Sequence, residues 1–80
     1  MDRNEIYSRV NEVFRDVFDD QTITVNDNTT ADDIEDWDSL AHITLISAIE
    51  DEFHIRFDMK IILKMKNVGE LVDYIEKSLH

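Results

Sequence analysis

The chain has 80 residues, 42% apolar and 34% charged, with a formal net charge of −11. A chain this short buries only about two-thirds of its unfolded surface, so it forms one modest core and has no room for a deep catalytic cleft on a separate scaffold. Without cysteine there is no disulfide framework, zinc–thiolate site or thiol nucleophile.

The chain has no proline and one glycine, which argues against a strand-rich fold with tight turns, while apolar residues recur at helical spacing. Residues 2–18 carry Ile6, Val10, Val13, Phe14, Val17 and Phe18 on one stripe, an amphipathic helix. Residues 19–38 are rich in Asp, Asn and Thr, which bond their own backbone and favour turns. So long a connection reads as a functional loop without regular structure, pinned to the core by Ile23, Val25, Ile34 and Trp37. Residues 39–53 are again helical. Leu40, Ile43, Ile46, Ile49 and Phe53 form the expected buried stripe, widened by Leu45 and Ala48. Asp38 is the expected N-cap. Residues 57–66 leave room for one short helix around Ile61, Ile62 and Leu63. Asn67 and Glu70 read as a capping box that starts a last helix with Leu71, Val72, Ile75 and Leu79 inside. The expected fold is all-α: a small four-helix bundle of three longer helices and one short one, with a long loop between the first and second, in a single domain over residues 1–80.

Charge is unevenly placed. From residue 16 to residue 55 there are twelve Asp or Glu and no Lys or Arg; residues 56–66 then hold four basic residues and one acid. Nucleic acid and an anionic membrane surface are poor partners for such a chain, and a basic protein surface is its complement. No stretch approaches the ~18 apolar residues of a membrane helix, and the first ten residues lack the apolar segment of a signal peptide. A cytoplasmic monomer is expected.

Ser39 draws attention by its position. It follows the acidic run ending at Asp38 and falls at the first position of a helix. The first N–H groups of a helix are unpaired and carry partial positive charge, so a phosphate borne by a first-turn side chain is well placed there. Position alone favours the plainer reading, a serine that merely starts a helix.

The neighbouring residues add to this. Asp38-Ser39-Leu40, the apolar helix closed by Glu50-Asp51-Glu52-Phe53, and the later Val68-Gly69-Glu70-Leu71-Val72-Asp73-Tyr74-Ile75 resemble the acyl carrier protein family over nearly the whole chain. The string Trp37-Asp38-Ser39-Leu40-Ala41-His42 resembles discrete carriers of specialised or polysaccharide-linked pathways. The resemblance implies that the protein is not an enzyme. It implies that a phosphopantetheinyl transferase uses the Ser39 hydroxyl to attack coenzyme A, and that the attached phosphopantetheine then holds acyl cargo as a thioester. Asp38 would cap the helix and present the serine, and Leu40 would anchor that turn in the core. Acyl-activating, ketosynthase or acyltransferase enzymes with basic patches are the implied partners, with Glu50, Asp51, Glu52 and His42 as docking candidates. Apolar Met59, Ile61, Ile62, Leu63 and Met65 read as core, or as part of a shelter for the acyl group.

The chain departs from the family pattern in two places. Ala41 and Thr44 stand where several members have carboxylates, and the short helix carries Lys60, Lys64 and Lys66. Both point away from the standard fatty-acid enzymes. Rival readings are an aminoacyl carrier and an acidic interaction module without a cofactor. A Ser39–His42 hydrolase lacks a nucleophile elbow and an orienting acid. A calcium loop from Asp27 lacks the required acids at Thr29 and Ala31 and the glycine at Asp32, so no metal is expected. Trp37 is expected as a loop anchor in the core, with a staple against His42 as the alternative.

Overall fold

A computed structural model describes residues 1–79. The elements are α1 (Arg3–Phe18), a single 3-10 turn (Ala31–Asp33), α2 (Ser39–Phe53), α3 (Met59–Lys64) and α4 (Val68–Ser78). Among the described residues there is no strand, and no helix is long and apolar enough to cross a membrane.

Each helix begins where a short polar side chain satisfies the free N–H groups of its first turn. Asp2 accepts from Glu5 N–H on α1, Asp38 from Ala41 N–H on α2, Asp58 from Lys60 N–H on α3 and Asn67 from Glu70 N–H on α4. The capping box at Asn67 is half realised: the Glu70 carboxylate reaches back past Asn67 and accepts from the N–H of Lys66. α1 and α2 end on left-handed residues, Asp19 (φ 50°) and His54 (φ 55°), which turn the chain without a glycine.

α1 is the hub, packing against α2 and α4. Ile6, Val10 and Phe14 meet Leu45 and Ile49 of α2 and Leu71, Val72 and Ile75 of α4 in one fully buried core. The loop between α1 and α2 is held by polar side chains of α1 as well as by its own apolar anchors. Asn11 Oδ1 accepts from the N–H of Val25 (2.7 Å), and Arg15 Nε donates to the carbonyl of Ile23 (2.7 Å). The loop is not wholly irregular as expected: Asp33 accepts from Thr30 N–H (2.9 Å) and closes the 3-10 turn.

The other end of the loop caps α4. The carbonyls of Thr29 and Asp27 accept from the N–H groups of Val68 (2.8 Å) and Gly69 (3.1 Å). A Cβ on Gly69 would stand 2.7 Å from the Asp27 carbonyl oxygen, so the approach requires glycine. Arg3 binds Asp27 and Asp73 (2.8 Å each), and the Tyr7 hydroxyl donates to Asp27. The Tyr7 hydrogen bond, then that from Arg3, holds the Asp27 carboxyl below its ordinary range. Loop, α1 and α4 are thereby joined at one corner.

Two sequence expectations are corrected. Leu40 does not anchor its turn in the core but is 74% exposed, and Ile43 is 60% exposed. The buried face of α2 is Leu45, Ile46, Ile49 and Phe53. In the short helix only Ile62 is core; Met59, Ile61 and Leu63 are exposed.

Candidate functional site

Ser39 is the first residue of α2 and its side chain is exposed. The turn is built by Asp38. Its Oδ1 accepts from Ala41 N–H (2.8 Å) and its carbonyl from His42 N–H (2.9 Å). That leaves the N–H groups of Ser39 and Leu40 at the positive end of the helix without an intrahelical acceptor.

Trp37 precedes the cap and sets the approach of the chain. Its indole packs edge-on against Phe14 (5.3 Å between centroids, 79°) and lies 6.2 Å from Phe18. Its Nε1–H donates to Nδ1 of His42 (3.1 Å), with the two rings nearly parallel at 21°. Trp37 is therefore both the loop anchor and the mate of His42, at the two positions of a hydrophobic staple.

A groove of about 560 Å³ opens beside Ser39 between α2 and α3. Ser39 and His42 stand at one end of its lining, and Ile43, Ile46, Met59 and Ile62 make much of its wall. Leu63, 77% exposed, stands on the rim with Lys66. An extended chain leaving the serine has an apolar trough next to it.

Hydrolysis does not fit this geometry. A general base needs a bare nitrogen facing the serine, and the bare nitrogen of neutral His42 is committed to Trp37. Among the described residues, no three His, Cys, Asp or Glu side chains converge as a metal centre.

The docking candidates differ in how free they are. Glu50 lines the groove, and its Oε2 accepts from the N–H of Phe57 (2.8 Å), which staples the turn after α2. Glu52 is 3.4 Å from Arg9 of α1. Asp51 is exposed and has no partner among the described residues. Asn11, Arg15 and the close approach of Gly69 to Asp27 were not singled out by the sequence reading. A polar side chain beside an otherwise apolar helix stripe is a signal that could have found Asn11, and it does not extend to Arg15 or Gly69.

A sequence model for the family described as "Phosphopantetheine attachment site" matches residues 8–75. The chain belongs to the acyl carrier protein family. It is 31% identical over 77 residues to the acyl carrier protein of Thermotoga maritima, covering 96% of this chain and 95% of that one. It also superimposes on the solution NMR structure of a holo acyl carrier protein from Geobacter metallireducens with a TM-score of 0.86. That match is 41% identical and covers 91% of this chain and 84% of the other. The function is that of the family: an acyl carrier with covalently attached phosphopantetheine and no catalytic activity of its own. Acyl carriers work with phosphopantetheinyl transferases and biosynthetic enzymes. The donors around Ser39 fit the group: an exposed hydroxyl, two free backbone N–H groups at a helix N-terminus, and an apolar groove alongside.

Proposed function

We propose that Ser39 is the attachment point, that Asp38 presents it, and that the carrier serves a specialised or polysaccharide-linked pathway rather than bulk fatty acid synthesis. The observation that carries the attachment site is an exposed serine at the first position of α2 beside the apolar groove. When bound, phosphopantetheine supplies a terminal thiol that holds acyl cargo as a thioester. The chain's own part is to offer the hydroxyl, to set its phosphate against the free N–H groups of Ser39 and Leu40, and to shelter apolar cargo along Ile43, Ile46, Met59 and Ile62.

The pathway reading rests on surface chemistry. The first three turns of α2 hold no Asp or Glu, and α3 and the segment after it carry Lys60, Lys64 and Lys66. Leu40 and Ile43 lie exposed on α2. A partner built for an acidic first turn meets an apolar one here. His42, Glu50, Asp51 and Glu52 remain the docking set toward a basic patch on an acyl-activating, ketosynthase or acyltransferase enzyme, with Asp51 the most available. The protein acts as one domain and a cytoplasmic monomer.

Intact mass tests the site. With coenzyme A, magnesium and a broad-specificity transferase, the wild type is expected to gain one phosphopantetheine and one free thiol, and Ser39→Ala to gain nothing. Loading of Ser39→Ala would sink the assignment. For the pathway, the loaded carrier is offered to fatty-acid ketosynthase and acyltransferase beside a fatty-acid carrier. Equal turnover of the two would refute the specialised reading.

A further inference from the structure

His42 is held in one state by a residue outside its own helix. The Trp37 indole nitrogen can only donate, so Nδ1 of His42, 3.1 Å away, must present a lone pair. Neutral His42 therefore carries its proton on Nε2. The arrangement is rigid, because Trp37 is itself wedged against Phe14 and Phe18 of α1. Nε2 has no hydrogen-bond partner among the described residues, and no buried side-chain nitrogen or oxygen there lacks one, so Nε2 is within reach of solvent.

His42 also follows Ser39 by three residues, which places their Cβ atoms about 5–6 Å apart on one helix face, and both line the same groove. Beyond the backbone N–H groups of Ser39 and Leu40, α2 itself offers few other donors near Ser39, and Lys66 lines the same groove from the segment after α3. No Lys or Arg occurs between residues 16 and 55. The Thr44 hydroxyl is spent on the Leu40 carbonyl (3.2 Å). The adjacent Asp38 carboxylate repels a phosphate on Ser39. The one uncommitted side-chain N–H donor in the first turns of α2 is Nε2 of His42.

Resting on the reading of Ser39 as the attachment point, we propose that Trp37 locks His42 as the Nε2–H tautomer so that this N–H donates to the phosphate on Ser39. His42 is then a positioning residue. It restrains the root of the arm at the groove mouth and offsets the repulsion of Asp38. Trp37 acts through it, which couples the loop and α1 to the orientation of the arm.

The test is NMR of the labelled full chain, at a pH where the imidazole is neutral, before and after loading by a transferase with coenzyme A. In the apo chain, long-range nitrogen–proton correlations are expected to show a bare Nδ1 and a protonated Nε2. On loading, the Nε2 nitrogen and its proton are expected to shift. The phosphorus resonance of the loaded chain should move in His42→Phe and return toward the wild-type position in His42→Gln, whose amide N–H₂ replaces Nε2–H. Trp37→Phe keeps a ring against Phe14 and removes the indole N–H. It is expected to mix the two tautomers and shrink the loading-induced shift. An apo chain with the proton on Nδ1 overturns the proposal without need of any variant. A chain that loads while its His42 nitrogens stay in place overturns it too, leaving Ser39 intact as the attachment point. A chain that takes up no phosphopantetheine overturns both.

Discussion

Asn11 and His54 show how single side chains carry structure that their neighbours' hydrophobicity does not. The Val25 side chain is buried, and its N–H has Asn11 Oδ1 as acceptor at 2.7 Å. Removing one partner of a partly buried hydrogen bond leaves the other poorly satisfied, so Asn11→Ala should lose about 1 kcal/mol in urea unfolding and loosen the loop that leads to Ser39. His54 works against the fold in a small way. It ends α2 in the left-handed region at φ 55°, where a side chain is strained and glycine is not. After allowing for the greater freedom of glycine in the unfolded chain, His54→Gly should gain about 0.5–1 kcal/mol in the same measurement. Since His54 is exposed and lies at the far end of α2 from Ser39, loading should be unchanged.

The helices meet at contacts whose cost can be read by substitution. α4 starts with Gly69 against the backbone of Asp27, a separation that leaves 2.7 Å for an added Cβ. Gly69→Ala should destabilise by about 1–3 kcal/mol, because the obstacle is backbone and cannot rotate away. α2 gives the opposite result at Leu40. As a core anchor, a truncated Leu40 would cost about 2–5 kcal/mol. With the side chain 74% exposed, Leu40→Ser should alter stability by no more than about 0.5 kcal/mol. A large loss in thermal or urea unfolding would mean that the turn buries Leu40 after all. Any loss of transferase loading in a stable Leu40→Ser chain then reports on docking.

For the molecule as a whole, the corner joining α1, the loop and α4 makes stability depend on acid. Tyr7 and Arg3 lower the Asp27 pKa in the folded chain. A carboxylate with a depressed folded pKa contributes its stability above its unfolded pKa and loses it as the pH falls through the folded value. The wild type should therefore lose more stability on acidification than Asp27→Asn does, and the two curves should converge below the ordinary carboxylate range. Parallel curves from neutral to acid pH would show that the corner contributes nothing.

The helices and their limits were legible because their determinants are local. Asp38 ahead of an apolar run specifies α2 as Ser39–Phe53, and Asn67 specifies the start of α4, since capping is settled within three residues. The position of Ser39 at a helix start was legible for the same reason. Which face of α2 is buried was not. Leu40, Ile43, Leu45, Ile46 and Ile49 surround the axis, so a 3.6-residue pattern does not select a side. The placement of α1 made that selection, burying Leu45, Ile46 and Ile49 and leaving Leu40 and Ile43 outside. The packing of Trp37 against Phe14 and the approach of Gly69 to Asp27 likewise arise only once separate segments meet. Local hydrogen bonding and helical periodicity settled the elements and the place of Ser39 at the start of α2; long-range packing, which no short window of sequence encodes, decided the groove and the surface a partner meets.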